Sequence, residues 1–176
     1  MSDPAILLFV TCGTSALTNL TADKDSEAGK RLSGIVSDFL DEPAKEAFAA
    51  RVKLEQVAID AHLKVFKNSD WDLQKRHYRR LPAEVVSTHA LVQDLKQGGD
   101  SIGEIVILES ATDEGRLSAR VNCKLLHELF PKTKISTETV PGWDREFVDL
   151  TEPLLTIVSR KKEEFVQSAA DVFLSD

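Results

Sequence analysis

EIVILESATDEGRL, residues 104–117, is the stretch on which the fold turns. EIVILES (104–110) is short, apolar and partly β-branched, and ATDEGRL turns from it into a helix running to about Leu129. A run of this kind bounded by turn residues predicts a parallel strand buried on both faces. The same order stands near the start of the chain. AILLFV (5–10) reads as another buried strand and ends in the polar loop TCGTSALTN, which holds one glycine.

Working outward, SEAGKRLSGIVSDFL (26–40) places Leu32, Ile35, Val36, Phe39 and Leu40 at helical spacing. Pro43 suits the first turn of a second helix, which carries Phe48, Val52, Val57, Ile59 and Leu63. Residues 67–81 are polar and basic and read as an irregular loop. Pro82 opens the helix AEVVSTHALVQDLK (83–96), stopped by Gly98 and Gly99. KISTETV (134–140) is a third strand, less apolar and nearer a sheet edge. The region 144–176 reads as helical, with an interruption expected near Pro153. Strands separated by helices predict an α/β fold, Rossmann-like, with a mostly parallel sheet flanked by helices. No linker-like shift in composition divides the chain, so residues 1–176 are expected to form a single domain.

The formal net charge of −7 argues against a coat for long DNA or RNA, which needs a broad positive surface. It leaves room for a small anion held by a few local groups. The apolar run 5–10 is too short for a signal peptide core or a membrane span. Cys12 and Cys123 have no CxxC pairing and no metal-ligand spacing to a histidine. They read as reduced thiols of a cytoplasmic protein, and no metal or cofactor is implied.

In open parallel sheets, ligands bind beyond the carboxyl ends of the strands. Two polar loops occupy that position: Thr11, Cys12, Gly13, Thr14 and Ser15, with Asn19 shortly after, and Ser110 to Arg116. Small residues let backbone N–H groups approach a phosphate, and hydroxyls add compact donors. Each following helix N-terminus adds partial positive charge. Arg116 offers a planar cationic fork. Against this, Ser, Thr, Asp and Gly also make helix caps, and for ATDEG a cap alone is the simpler account. GxGxxG, GxxxxGK[ST] and GxSxG are all absent from the sequence.

GTSALTN after the first strand, LPAEVVST, and VILESATDEGRLSA together resemble the CARF family (CRISPR-associated Rossmann fold), over about Ala5 to Ala119. The resemblance implies a homodimer that binds a cyclic oligoadenylate, most often cyclic tetra-adenylate, across its two-fold axis. It implies that Gly13, Thr14 and Ser15 cradle phosphate and ribose and that Asn19 contacts ribose or base. Thr11, Ser110, Thr112 and Arg116 would line the same pocket, and Glu84 would hold a loop or touch an adenine edge. Standalone members resemble ring nucleases, which open the messenger without metal by in-line attack of a ribose 2′-hydroxyl. Ser15 and Arg116 are then the expected catalytic residues. The alternative is a sensor that binds the ring without cleaving it and controls an effector. The chain has no glycine after Gly142, and so lacks the late glycine-rich segment ending in lysine that most of the family carries.

Lys75, Arg76, Arg79 and Arg80 cluster in an otherwise acidic protein. They read as a solvated surface run or as a lid over the ring, with Trp71 or Tyr78 stacking on adenine. Trp143, just past the third strand, fits base stacking and core packing about equally. His62 and His89 have no metal-ligand spacing and read as structural.

Overall fold

The computed structural model describes residues 5–13, 16, 56–62, 82–143 and 149–174, the side chains of 169–174 excepted. The segment 26–40, most of the helix expected to follow Pro43, and the basic stretch 67–81 lie outside the described residues. Residues 56–62 are helical, as expected.

Among the described residues, three strands form a parallel sheet in the order β1 (Ala5–Thr11), β2 (Ser101–Glu109), β3 (Lys134–Thr139). Helix α1 (Ala83–Gln97) lies between β1 and β2 in sequence, α2 (Asp113–Leu129) between β2 and β3, and α3 (Thr151–Leu174) follows. The chain is therefore α/β with a parallel sheet flanked by helices, the arrangement of Rossmann-like proteins. β2 starts earlier than its apolar run suggests, because Ser101 and Ile102 already pair with Ala5 and Ile6. The register then shifts and Gly103 is left over as a bulge.

Residues 105–108 of β2 are continuously apolar because each face meets a different layer. Ile105 and Ile107, with Leu8 and Val10 of β1, pack under α1, α2 and residues 56–62. Val106 and Leu108, with Leu7 and Phe9, pack against Ile157 and Leu154 of α3. Fully burying one such aliphatic side chain contributes about 1.5–3 kcal/mol. His62 is almost wholly buried, and its Nε2 donates to the Ala16 carbonyl at 2.8 Å, tying residues 56–62 to a point just beyond β1.

The helix ends follow local rules. Gly99 takes φ +94°, which frees Asp100 N–H to reach Leu95 O at 3.0 Å and Gly99 N–H to reach Lys96 O at 3.1 Å. That pair of bonds closes α1 as a Schellman motif. Pro153 does not interrupt the C-terminal helix, contrary to the sequence expectation, because α3 begins two residues before it. In a first turn the proline lacks only an N–H that would have no helical partner.

An ion cluster holds α3 to the sheet. Lys161 is 7% exposed, and its Nζ lies 3.1 Å from Glu138 and 3.7 Å from Glu104. Glu104, itself buried, also accepts from Lys134 Nζ at 2.9 Å and Ser136 Oγ at 2.7 Å. Among the described residues, no helix is long and apolar enough to cross a membrane.

Candidate functional site

The ladder runs on past the strand ends. Cys12 N–H donates to Leu108 O and Val140 N–H to Glu109 O, both at 2.8 Å. The turns that leave β1 and β2 are thereby held side by side at the carboxyl end of the sheet. Between them opens a cavity of about 520 Å³. Thr11, Cys12 and Gly13 form one wall, and Ser110, Thr112 and Gly115 form another. Glu84, in the first turn of α1, and Trp143, just after β3, complete the lining.

Local chemistry fixes each wall. Thr112 is the N-cap of α2 and accepts from Gly115 N–H at 3.1 Å, so the capping role weighed in the sequence is real. Ser110 Oγ and Thr112 Oγ1 share a hydrogen bond of 2.9 Å. Two hydroxyls carry two hydrogens and their mutual bond uses one, which leaves one O–H for another acceptor. Across the cavity, Gly13 N–H donates to Glu84 Oε1 at 3.0 Å. Glu84 sits above Thr88, whose hydroxyl back-bonds to its carbonyl at 2.6 Å.

Both α1 and α2 point their N-termini toward this end of the sheet, with Glu84 of α1 and Gly115 of α2 in first turns that line the cavity. Such ends carry partial positive charge and favour anions. Pro82, the N-cap of α1, makes no side-chain cap bond, whereas Glu84, Asp113 and Glu114 place carboxylates in the two first turns. Among the described lining residues, Glu84 carries the only charge.

Cys12 forms part of the floor. Burial pushes its thiol up to about 12, the Glu84 and Glu109 carboxylates push the same way, and a hydrogen bond from Asn122 pulls back. Asn122 Nδ2 donates to Cys12 Sγ at 3.1 Å, while Asn122 Oδ1 and Ser118 Oγ, both buried, have no hydrogen-bond partner. Among the described residues, no three His, Cys, Asp or Glu side chains cluster as metal ligands would.

Of the residues singled out in the sequence, Thr11, Gly13, Glu84, Ser110 and Thr112 meet in this one cavity. Arg116 does not line it. Its side chain is exposed on α2, one turn before the equally exposed Arg120. Thr14, Ser15 and Asn19 lie outside the described residues, as do Trp71, Arg76, Tyr78, Arg79 and Arg80. Cys12 and Gly115, members of the same two candidate loops though given no role of their own, line the cavity as well, and so does Trp143, for which base stacking and core packing were both weighed. A glycine inside a helix costs about 1 kcal/mol against alanine, and that was the signal for a close approach at Gly115. A comparison of the sequence with protein-family models and with curated proteins finds no match.

Proposed function

We propose that this chain binds a cyclic oligoadenylate, with cyclic tetra-adenylate as the first choice, in the cavity beyond β1 and β2. The carrying observation is that Gly13, Glu84 and Thr112, far apart in sequence, line one space at the carboxyl end of a parallel sheet. Small residues, hydroxyls and two helix N-termini suit ribose and phosphodiester groups. The ring's even symmetry suits a cytoplasmic homodimer with the ligand on its two-fold axis.

On the enzymatic form of this reading, the protein opens the ring without metal. The 2′-hydroxyl of a ribose attacks its own adjacent phosphorus, the bond to the next 5′-oxygen breaks, and a 2′,3′-cyclic phosphate remains. The protein's part is to hold that hydroxyl in line and to stabilise the added charge, with Ser15 as the first residue to test. The sensor form, binding without cleavage, is favoured by one observation: Arg116 is exposed and outside the cavity lining.

The test is incubation with cyclic tetra- and hexa-adenylate in EDTA, with products resolved by chromatography. Linear product that disappears in Ser15→Ala supports the enzyme. Tight binding with an intact ring supports the sensor. Failure to bind either ring removes both.

A further inference from the structure

The Gly13 amide is a donor at the wall of the cavity, and Gly13 itself is exposed. Its hydrogen bond is taken by a carboxylate oxygen of Glu84 at 3.0 Å. A carboxylate oxygen and a phosphate oxygen make the same demand on a backbone N–H: both are anionic acceptors at hydrogen-bond distance. The place that a ligand oxygen would take on this amide is thus held by the protein's own anion.

We propose that Glu84 is an internal stand-in for a ligand phosphate oxygen and thereby sets which anions the cavity admits. This rests on the binding reading above and deepens it. A ligand oxygen reaches Gly13 N–H only by displacing the Glu84 carboxylate or by lying beside it. In both cases the repulsion grows with the ligand's own charge. An internal phosphodiester carries one negative charge, whereas a terminal phosphomonoester carries about 1.5 to 2 at neutral pH. Glu84 therefore penalises linear oligoadenylates with a phosphate end more than it penalises the ring. The cavity prefers the closed messenger to its fully hydrolysed product.

Glu84→Gln is the informative substitution. It keeps the length and an oxygen acceptor for Gly13 N–H, removes the charge and turns the second oxygen into an NH2 group. Calorimetry should show cyclic tetra-adenylate binding about tenfold tighter to this variant, with a larger gain for linear tetra-adenylate bearing a 3′-phosphate. Equal or weaker ring binding by Glu84→Gln overturns the proposal, because Glu84 would then assist the ligand. An unchanged preference between ring and linear ligand overturns it as well.

A second measurement keeps this separate from the identity of the ligand. The Gly13 amide resonance is followed during titration with inorganic phosphate. It should move at lower phosphate concentration in Glu84→Gln than in the wild type, and identical titrations overturn the proposal. If neither protein binds the ring while the phosphate titrations differ, the stand-in role holds and the oligoadenylate reading falls. Urea unfolding of both proteins shows whether the substitution leaves the fold intact.

Discussion

The Ser110 hydroxyl fills the space that a side chain on Gly115 would need. Thr112 Oγ1 stands 3.1 Å from the same point, so the turn from β2 into α2 closes around a residue with no Cβ. The hydroxyl pair that lines the cavity and the cap that starts the helix are one structure.

Gly115→Ala should therefore destabilise the protein by about 1–3 kcal/mol through overpacking at a buried position. Urea unfolding measures this. Adding Ser110→Ala removes the clashing oxygen and should recover much of the loss, giving a coupling energy of at least about 0.5 kcal/mol in the double-mutant cycle. Strict additivity would mean that the two residues do not meet.

The ion cluster under α3 predicts a pH window with a definite sign. Burial pushes the Glu104 carboxyl up, but the hydrogen bonds from Lys134 and Ser136 and the Lys134 and Lys161 charges outweigh it. The net result lies below the ordinary value of 4.5. A lowered folded pKa contributes stability above the unfolded value, and that contribution is lost as pH falls through the folded one. Stability should drop as pH falls below about 4.5, and Glu104→Gln should flatten that drop. Lys161 behaves oppositely. Burial pulls its ammonium down, but Glu138, Glu164 and Glu104 raise it above 10.5. Its contribution is present below that value and lost at higher pH. Chemical unfolding across pH checks both limbs.

Lys161→Ala at neutral pH leaves the buried Glu104 carboxylate with fewer partners and should cost about 3 kcal/mol. Lys162→Ala, one residue along and exposed, should change stability by less than about 0.5 kcal/mol. Similar losses in the two variants would show that the cluster does not clamp α3.

The two thiols should be slow to react in the native state. Cys12 is buried with its thiol pushed up to about 12, and burial raises the half-buried Cys123 while the Lys124 charge lowers it. At pH 8, maleimide labelling read by peptide mass spectrometry should find Cys12 the slower of the two, and both fast after denaturation. Rapid native labelling of Cys12 would mean that the cavity floor opens.

Much of this fold was legible. The apolar runs 5–10 and 104–110 were legible as strands, since neither alternates; 104–110 is the inner strand expected, whereas 5–10, read as buried on both faces, is only partly buried and lies at an edge of the described sheet. The cap at Thr112 and the stop at Gly98 and Gly99 are local events, and local chemistry announced them. The Gly13–Glu84 bond was not legible in detail, because it joins residues 71 apart and depends on how α1 docks. Arg116 was placed by its loop rather than by its helix. Helical spacing puts it beside Arg120 on the exposed side of α2, with Leu117, Ser118 and Val121 buried. Pro153 was read as an interruption because the start signal just ahead of it, Asp149, whose carboxylate accepts from Thr151 N–H at 2.9 Å, was not used.

The central claim is that the cavity at the carboxyl ends of β1 and β2 receives a ring of phosphodiesters. Nitrogen–proton correlation spectra during titration with cyclic tetra-adenylate in EDTA test it most directly. The account predicts saturable shifts of the Gly13, Ser110, Thr112 and Gly115 amides and of the Trp143 indole, with Gly103 and Lys134 unmoved at the other end of the sheet. No saturable shift, or shifts centred on Gly103 and Lys134, would contradict it.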